Sequence, residues 1–333
     1  MSRPQAAFKS QLAARHRKGR VFYALCVTST WLGISTLVVM LAGIIWQSSG
    51  WLNWTFLTSY DDALHPERAG ILAGLWGSFW LMLLTIVISV PVGVAAAVYL
   101  EEFSSDTRLT RILRINLANL AGVPSIVYGI LGLTVFVRMF GAFGSEQKVL
   151  AISLGFAELQ IPLPFGRTVI AGALTLSLMN LPVIIVSAQE ALRAVPSSLR
   201  HASLALGATR WQTIWHQVLP SATPGILTGV ILSVSRAIGE TAPLLMIGAM
   251  SYVAFTPGDI SSPLDAARNP EGVLKAPFDS FTALPVQIFN WVSMRNEYQH
   301  VAAAGILVLL VVLLALNALA IFLRHRYQKR TRW

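Results

Sequence analysis

Apolar residues in this chain gather into long unbroken runs, not into the stripes of soluble helices or the alternation of strands. Six such runs stand out, at approximately 22–46, 71–100, 112–140, 168–189, 224–250 and 301–323. Each matches or exceeds the ~20 apolar residues that a helix needs to cross the hydrocarbon layer of a bilayer. The pattern predicts an all-α, polytopic helix bundle with six transmembrane helices, of which the second and third are long enough to tilt or kink. No stretch between the runs is large enough for a soluble domain. One transmembrane domain is therefore expected at 22–323, between a basic segment at 1–21 and a basic tail at 324–333.

Composition agrees: 55% of the 333 residues are hydrophobic and 12% are charged. The single cysteine, Cys26, lies inside the first run, which excludes an internal disulfide and a cysteine metal cluster. The basic N-terminus is not a signal peptide, because its apolar stretch is too long and no small-residue cleavage site follows. Trp46, Trp51 and Trp54 follow it instead, as an interfacial aromatic anchor would.

Basic residues are unevenly shared between the two sides of the predicted bundle. Arg3, Lys9, Arg15, Arg17, Lys18 and Arg20 precede the first run, and Arg108, Arg111 and Arg114 follow the second. Arg193, Arg200 and Arg210 follow the fourth, and Arg324, Arg326, Lys329, Arg330 and Arg332 form the tail. The other side carries only Arg68, Lys148, Arg167, Arg268, Lys275 and Arg295. Cytosolic loops hold the excess of Lys and Arg, so both termini are expected in the cytosol. The same bias accounts for a pI near 10.3 without nucleic acid, since the bases are scattered among loops with no binding fold between them.

Of the outer segments, 251–300 is the longest, and Phe278, Phe281, Leu284, Val286, Ile288, Phe289 and Trp291 make its second half apolar. That half is expected on the membrane surface or in the mouth of the bundle. The cytosolic segment 190–220 reads as two short helices around a glycine elbow. Ser197, after Pro196, suits an N-cap, and Gly207 sits where that helix would stop. Thr209 and Gln212 have capping-box spacing, and Trp211, Ile214, Trp215 and Val218 follow at helical intervals. Leu199, Ala202 and Leu206 fall on one face of the first helix, fit to enter a partner's groove or to rest at an interface.

This segment resembles the coupling loop of bacterial ABC-importer permeases, whose signature is Glu-Ala-Ala, three residues, Gly, nine residues, then Ile-x-Leu-Pro. The corresponding residues are His201-Ala202-Ser203, Gly207 and Gln217-Val218-Leu219-Pro220, so His201 and Gln217 depart from the signature. Arg200, His201, Ala202, Ser203, Leu206, Gly207, Ala208, Leu219 and Pro220 are the coupling residues that the resemblance implies. The run Gly122-Val123-Pro124-Ser125-Ile126-Val127-Tyr128-Gly129 is similar to the phosphate-specific members. So are Arg167-Thr168-Val169-Ile170-Ala171-Gly172 and Ser235-Arg236-Ala237-Ile238-Gly239-Glu240-Thr241-Ala242-Pro243. From about 66 to 323 the chain is similar to the PstA-type permeases of the high-affinity phosphate importer. The resemblance implies the type I ABC importer permease fold in a bacterial inner membrane. It also implies a PstC-like second permease, two copies of a PstB-like ATPase, a PstS-like phosphate-binding protein, and phosphate as substrate. ATP and Mg would belong to the ATPase, with no cofactor in this chain. Sulfate and molybdate permeases share the fold and the loop; the Arg-Ala-Ile-Gly-Glu-Thr and Val-Pro-Ser-Ile-Val-Tyr-Gly runs, both similar to the phosphate members, are what the resemblance offers to separate phosphate from them.

Arg236 lies about twelve residues into the fifth run, near the middle of the bilayer at 1.5 Å per residue. A charge there is costly and is kept where it is paired or lines a pathway. Glu240, four residues on, is placed to pair with it. Guanidinium forks match tetrahedral oxyanions, and a neighbouring carboxylate could reclaim the arginine and release the anion. The alternative is a structural pair that fixes helix register. Arg138 faces the pathway entrance or snorkels to the interface, and Ser125 and Thr241 offer hydroxyls to an anion or bond back to their own helices. Pro91, Pro124, Pro182 and Pro243 each permit a kink, and Gly70-x-x-x-Gly74 and Gly225-x-x-x-Gly229 permit close packing. Glu101 and Glu102 are expected to meet Arg108 or Arg111.

Nothing points to catalysis by this chain. It has no Gly-x-x-x-x-Gly-Lys-Ser/Thr to cradle ATP, no His-Glu-x-x-His, and no nucleophile–base arrangement, Ser235 beside Arg236 included.

Overall fold

The computed structural model describes residues 4–105, 107–142, 148–153, 158–250 and 252–330, so Arg3 and Arg332 of the predicted basic ends lie outside the described residues. Helix α1 (Pro4–Ser48) carries the first apolar run and continues through the basic segment that precedes it. Helix α2 (Leu72–Phe103) is followed by α3 (Arg108–Leu120) and α4 (Ser125–Val137). A β-hairpin, β1 (Lys148–Ser153) against β2 (Glu158–Leu163), comes next, then α5 (Val169–Arg193) and the short α6 (Ser197–Ala205). The long α7 (Arg210–Ile238) leads into the short α8 (Ala242–Ile247). After two small outer helices come α9 (Leu284–Ser293) and α10 (Gln299–Arg330), which extends through most of the predicted tail as continuous helix.

Five helices are long and apolar enough to cross a membrane, and the sixth span is the bent pair α3–α4. The third run is therefore not the straight helix that its length suggested. The chain turns by 106° between Leu120 and Ser125. Pro124 supplies no backbone N–H and disfavours helical geometry at Val123, so the helix must stop and restart. Before the turn, α3 is amphipathic, with Arg108, Arg111 and Arg114 interleaved among exposed Leu109, Ile112, Leu113 and Ile115.

The fifth run is corrected at both ends. Its helix does not begin near 224 but at Arg210, and it stops at Ile238 well short of 250. A five-residue π-turn (Ile214–Val218) carries it through Pro220, so the elbow's second helix and the span are one rod. Pro243 stands in the first turn of α8, beyond the break. Of the four prolines, Pro124 and Pro243 mark real breaks, whereas Pro91 and Pro182 lie inside continuous helices.

The core forms where α5 packs between α2 and α7. Val169, Leu176, Ile184, Ala188 and Leu192 of α5 are fully buried. Gly225 and Gly229 allow the α5–α7 approach: a Cβ on Gly229 would stand 2.0 Å from Ser187 Oγ, and one on Gly225 2.7 Å from Ala191 Cβ. The apolar half of 251–300 enters the bundle, with Phe281, Leu284, Val286 and Trp291 at most 1% exposed. The hairpin was not anticipated; its six-pair antiparallel register begins at Lys148–Leu163. Helix α1 lies outside this core against α10, where His300 Nδ1 is 2.8 Å from the Gln47 carbonyl and the His300 ring stacks on Trp51.

At the same end, Trp291 Nε1 donates to Asp61 Oδ1 over 2.9 Å while Asp61 Oδ2 is buried without a partner. Burial outside the spans pushes the Asp61 carboxyl up to about 6 from 3.8. A raised folded-state pKa in an acid means that stability is fully present below pH 4 and is lost as the pH climbs through 6. Asp61→Asn, which keeps the acceptor for Trp291, should therefore stabilise the protein at pH 7.5 by up to about 3 kcal/mol and leave it unchanged near pH 4. Thermal melts at the two pH values check this; an equal shift at both would remove the carboxylate as its cause.

Candidate functional site

Two groups of functional side chains lie at opposite ends of the bundle. The first surrounds α6. Its N-cap is Pro196, with no side-chain cap, so Ser197 is the first helical residue and not the cap expected. The helix ends at Leu206, and Gly207 takes φ +85°, the left-handed conformation that reverses the chain. Thr209 and Gln212 form the capping box that opens α7: the Gln212 amide donates to Thr209 Oγ1 and the Thr209 amide to Gln212 Oε1. A hydroxyl bond of 2.9 Å joins Ser203 to Thr213 across the elbow.

What anchors this elbow is a carboxylate pair that the sequence assigned to other partners. Glu101 pairs with Arg193 at 2.8 Å and Arg114 at 3.8 Å, and Glu102 pairs with Arg200 at 2.7 Å. Neither meets Arg108 or Arg111. Arg200 also donates to the carbonyls of Val195 at 2.7 Å and Leu192 at 2.8 Å, so one guanidinium ties α6 to the ends of α2 and α5. Spacing alone could not reveal the Arg193 and Arg200 pairs, because more than ninety residues separate those partners. His201, Ala202, Leu204 and Leu206 point outward, and Leu206 is 89% exposed. Leu219 and Pro220 lie along the uninterrupted α7, and Ala208 bridges the elbow to it.

The second group collects at the break between α7 and α8. Arg236 occupies the last turn of α7, about 39 Å along the helix from Arg210 at 1.5 Å per residue, instead of a mid-helix position. Its Nε donates to Glu240 Oε1 over 3.3 Å, with side chains 50% and 17% exposed. Glu240 lies past the helix end, so the pair closes over the break and does not lie along one helical face. A cation is electrostatically favoured at this terminus, where backbone carbonyls lack helical partners. Thr241 caps α8, and its hydroxyl bonds to nothing among the described residues; the same holds for Ser125 at the start of α4. The back-bonding expected of these two hydroxyls is absent. A Cβ on Gly129 would come 2.7 Å from Pro243 Cα, which shows how tightly α4 is set against α8.

Arg138 does not join this pair. It ends α4 at the far side, next to Arg167. Arg167, at the approach to α5, was read only as a loop charge and as part of a phosphate-like run.

Residues 89–333 match the family described as the inner membrane component of binding-protein-dependent transport systems. This chain belongs to that family. The permease is 31% identical over 299 residues to a probable ABC transporter permease, YqgI, of Bacillus subtilis, covering 88% of this chain and 90% of the relative. It is 34% identical over 228 residues to the phosphate transport system permease PstA 1 of Mycobacterium tuberculosis (strain H37Rv), covering 66% of each. With PstA of Yersinia pestis it shares 28% identity over 313 residues, covering 94% and 92%. Among solved structures, a bacterial alginate ABC transporter in complex with its pentasaccharide-bound periplasmic protein aligns with a TM-score of 0.59 at 14% identity, covering 93% and 96%. The permease thus has the mostly helical ABC-importer permease fold, with the β-hairpin as an addition to the all-α bundle expected, and is a multi-pass bacterial inner-membrane protein. It is a transport subunit and not an enzyme, and an ABC-importer permease works with an ATPase and a substrate-binding protein.

Proposed function

We propose that this permease carries inorganic phosphate into the cytoplasm, as the PstA-type half of a heteromeric importer. The observation that carries the reading is the Arg236–Glu240 pair, set at a helix break with half of the guanidinium side chain uncovered. Such a group cannot be left to acyl chains, so an aqueous path or a second subunit faces it. The fork of Arg236 takes phosphate oxygens, and Glu240, 3.3 Å away, competes for the same N–H groups and limits how long the anion stays. Relatives named as phosphate permeases support the choice of anion. Thr241 and Ser125, with free hydroxyls on the neighbouring segments, complete the hydrogen-bonding surface, and Arg138 stands at the approach.

The remaining assignments follow from that reading. Partners are a PstC-like permease, two PstB-like ATPases that hold ATP and Mg, and a PstS-like phosphate-binding protein. The α6 end of the bundle, toward which α1 and α10 direct their basic ends, faces the cytosol. Closure of the ATPases pushes α6, and the single rod of α7 carries the displacement to Arg236. Sulfate or molybdate is the competing substrate. In proteoliposomes of the assembled complex, labelled phosphate should accumulate with ATP and resist a hundredfold excess of sulfate; suppression by sulfate would reassign the substrate.

A further inference from the structure

The two arginines at the end opposite α6 share one opening for a structural reason. The Gly166 amide donates to the Val137 carbonyl over 3.3 Å, which places the next residue of each segment, Arg167 and Arg138, at one opening. Together with Leu133, Met246, Gly248 and Tyr252 they line a cavity of about 440 Å³. Both side chains are exposed, and among the described residues neither has an ion pair or hydrogen bond through its guanidinium. Among the described residues, no carboxylate lines the cavity. Two guanidinium groups at one opening, with no counter-charge among the described residues, repel each other, a cost that an anion between them lowers.

The same cavity is joined to the Arg236–Glu240 pair by a single short helix. Gly248, at φ +85°, closes α8 directly beneath Arg167: a Cβ there would stand 2.7 Å from Arg167 Nε. Thr241, at the other end of α8, adjoins Glu240. Six helical residues, about 9 Å of rise, therefore separate the arginine basin from the ion pair. A tetrahedral oxyanion, with charge spread over several oxygens, suits a cavity lined by two guanidinium groups better than a carboxylate or halide does.

We infer that Arg138 and Arg167 form a phosphate-binding basin at the mouth of the permease, which holds the anion before it reaches Arg236. The inference rests on the phosphate reading above for its place in transport. The shared chemistry is a phosphate oxyanion, supplied free or as a phospholipid headgroup.

The test uses the permease pair with its ATPases in nanodiscs, free of the phosphate-binding protein and of nucleotide and carrying Arg236→Gln, with millimolar inorganic phosphate followed by ³¹P saturation-transfer NMR; the transfer that depends on Arg138 and Arg167 reports the basin. Transfer should persist in Arg236→Gln and vanish when Arg138→Gln and Arg167→Gln are added. In phosphatidylcholine discs, transfer that survives admixed phosphatidylglycerol assigns the basin to free phosphate, and transfer displaced by it assigns a headgroup. In the otherwise native complex, Arg167→Gln should raise the apparent KM for phosphate uptake about tenfold, the worth of one charge-assisted hydrogen bond, with maximal rate within about twofold. Arg167→Lys should recover part of that loss. Transfer unaffected by removing both arginines, or a KM that does not move, overturns the basin while leaving the phosphate reading intact. A wild-type complex that binds phosphate at the basin but imports none overturns the phosphate reading and leaves the basin standing.

Discussion

Arg236→Gln should cut phosphate uptake by about a hundredfold or more while the complex still assembles. A hydrogen bond to a charged group contributes about 1.5–3 kcal/mol, and a fork that loses two such bonds to an oxyanion exceeds the 2.7 kcal/mol of a hundredfold effect. Assembly should survive because Arg236 is half exposed and its one ionic partner, Glu240, is itself within reach of solvent. Lysine should rescue poorly, since a point charge lacks the paired N–H geometry. Glu240→Gln separates the roles: it leaves the guanidinium permanently available, so phosphate should bind at least as well and leave more slowly. Uptake of labelled phosphate, measured beside the stoichiometry of the purified complex, decides the matter. Normal uptake by Arg236→Gln would remove the pair from the pathway.

The helices were legible because lipid solvation imposes one dominant requirement, about 20 apolar residues per crossing, and the runs display it directly. The breaks were harder to place. Pro124 and Pro91 look alike in sequence, yet only Pro124 comes after a helix that carries three arginines and has already stopped at Leu120, with Gly122 in the turn, so only there does stopping cost little. Arg236 and Glu240 could be paired from spacing, but their position over a helix end required knowing that α7 stops at Ile238. The partners of Glu101 and Glu102 were illegible for a different reason: they come from α3, α5 and α6, which tertiary packing brings to the end of α2. The same holds for Arg138 and Arg167, which one backbone hydrogen bond makes neighbours.

Gly207→Val should uncouple ATP hydrolysis from uptake, reducing phosphate moved per ATP by roughly tenfold. The cause can be isolated unusually well, because no atom lies within 4 Å of where a Cβ on Gly207 would stand. Within this chain the added bulk meets nothing, so the penalty inside the permease comes from backbone conformation. At φ +85° a non-glycine residue costs roughly 1–2 kcal/mol, and a β-branched one more. Relieving that strain means reorienting α6 relative to α7 at the one joint where the helical backbone is interrupted between Ser197 and Ile238. On the α6 side, Arg200 remains fixed to Glu102, Val195 and Leu192; on the α7 side, the rod runs unbroken through Pro220 to Arg236. A displaced elbow therefore shifts the transmission without dismantling either part, and the ATPases keep turning over. Gly207→Asn is the control, since asparagine tolerates the left-handed region, and it should stay within about twofold of wild type. Phosphate transported per ATP, measured in the same vesicles for all three proteins, should rank Gly above Asn and Asn far above Val. A valine variant as well coupled as the parent would show that motion reaches Arg236 by some route other than this joint.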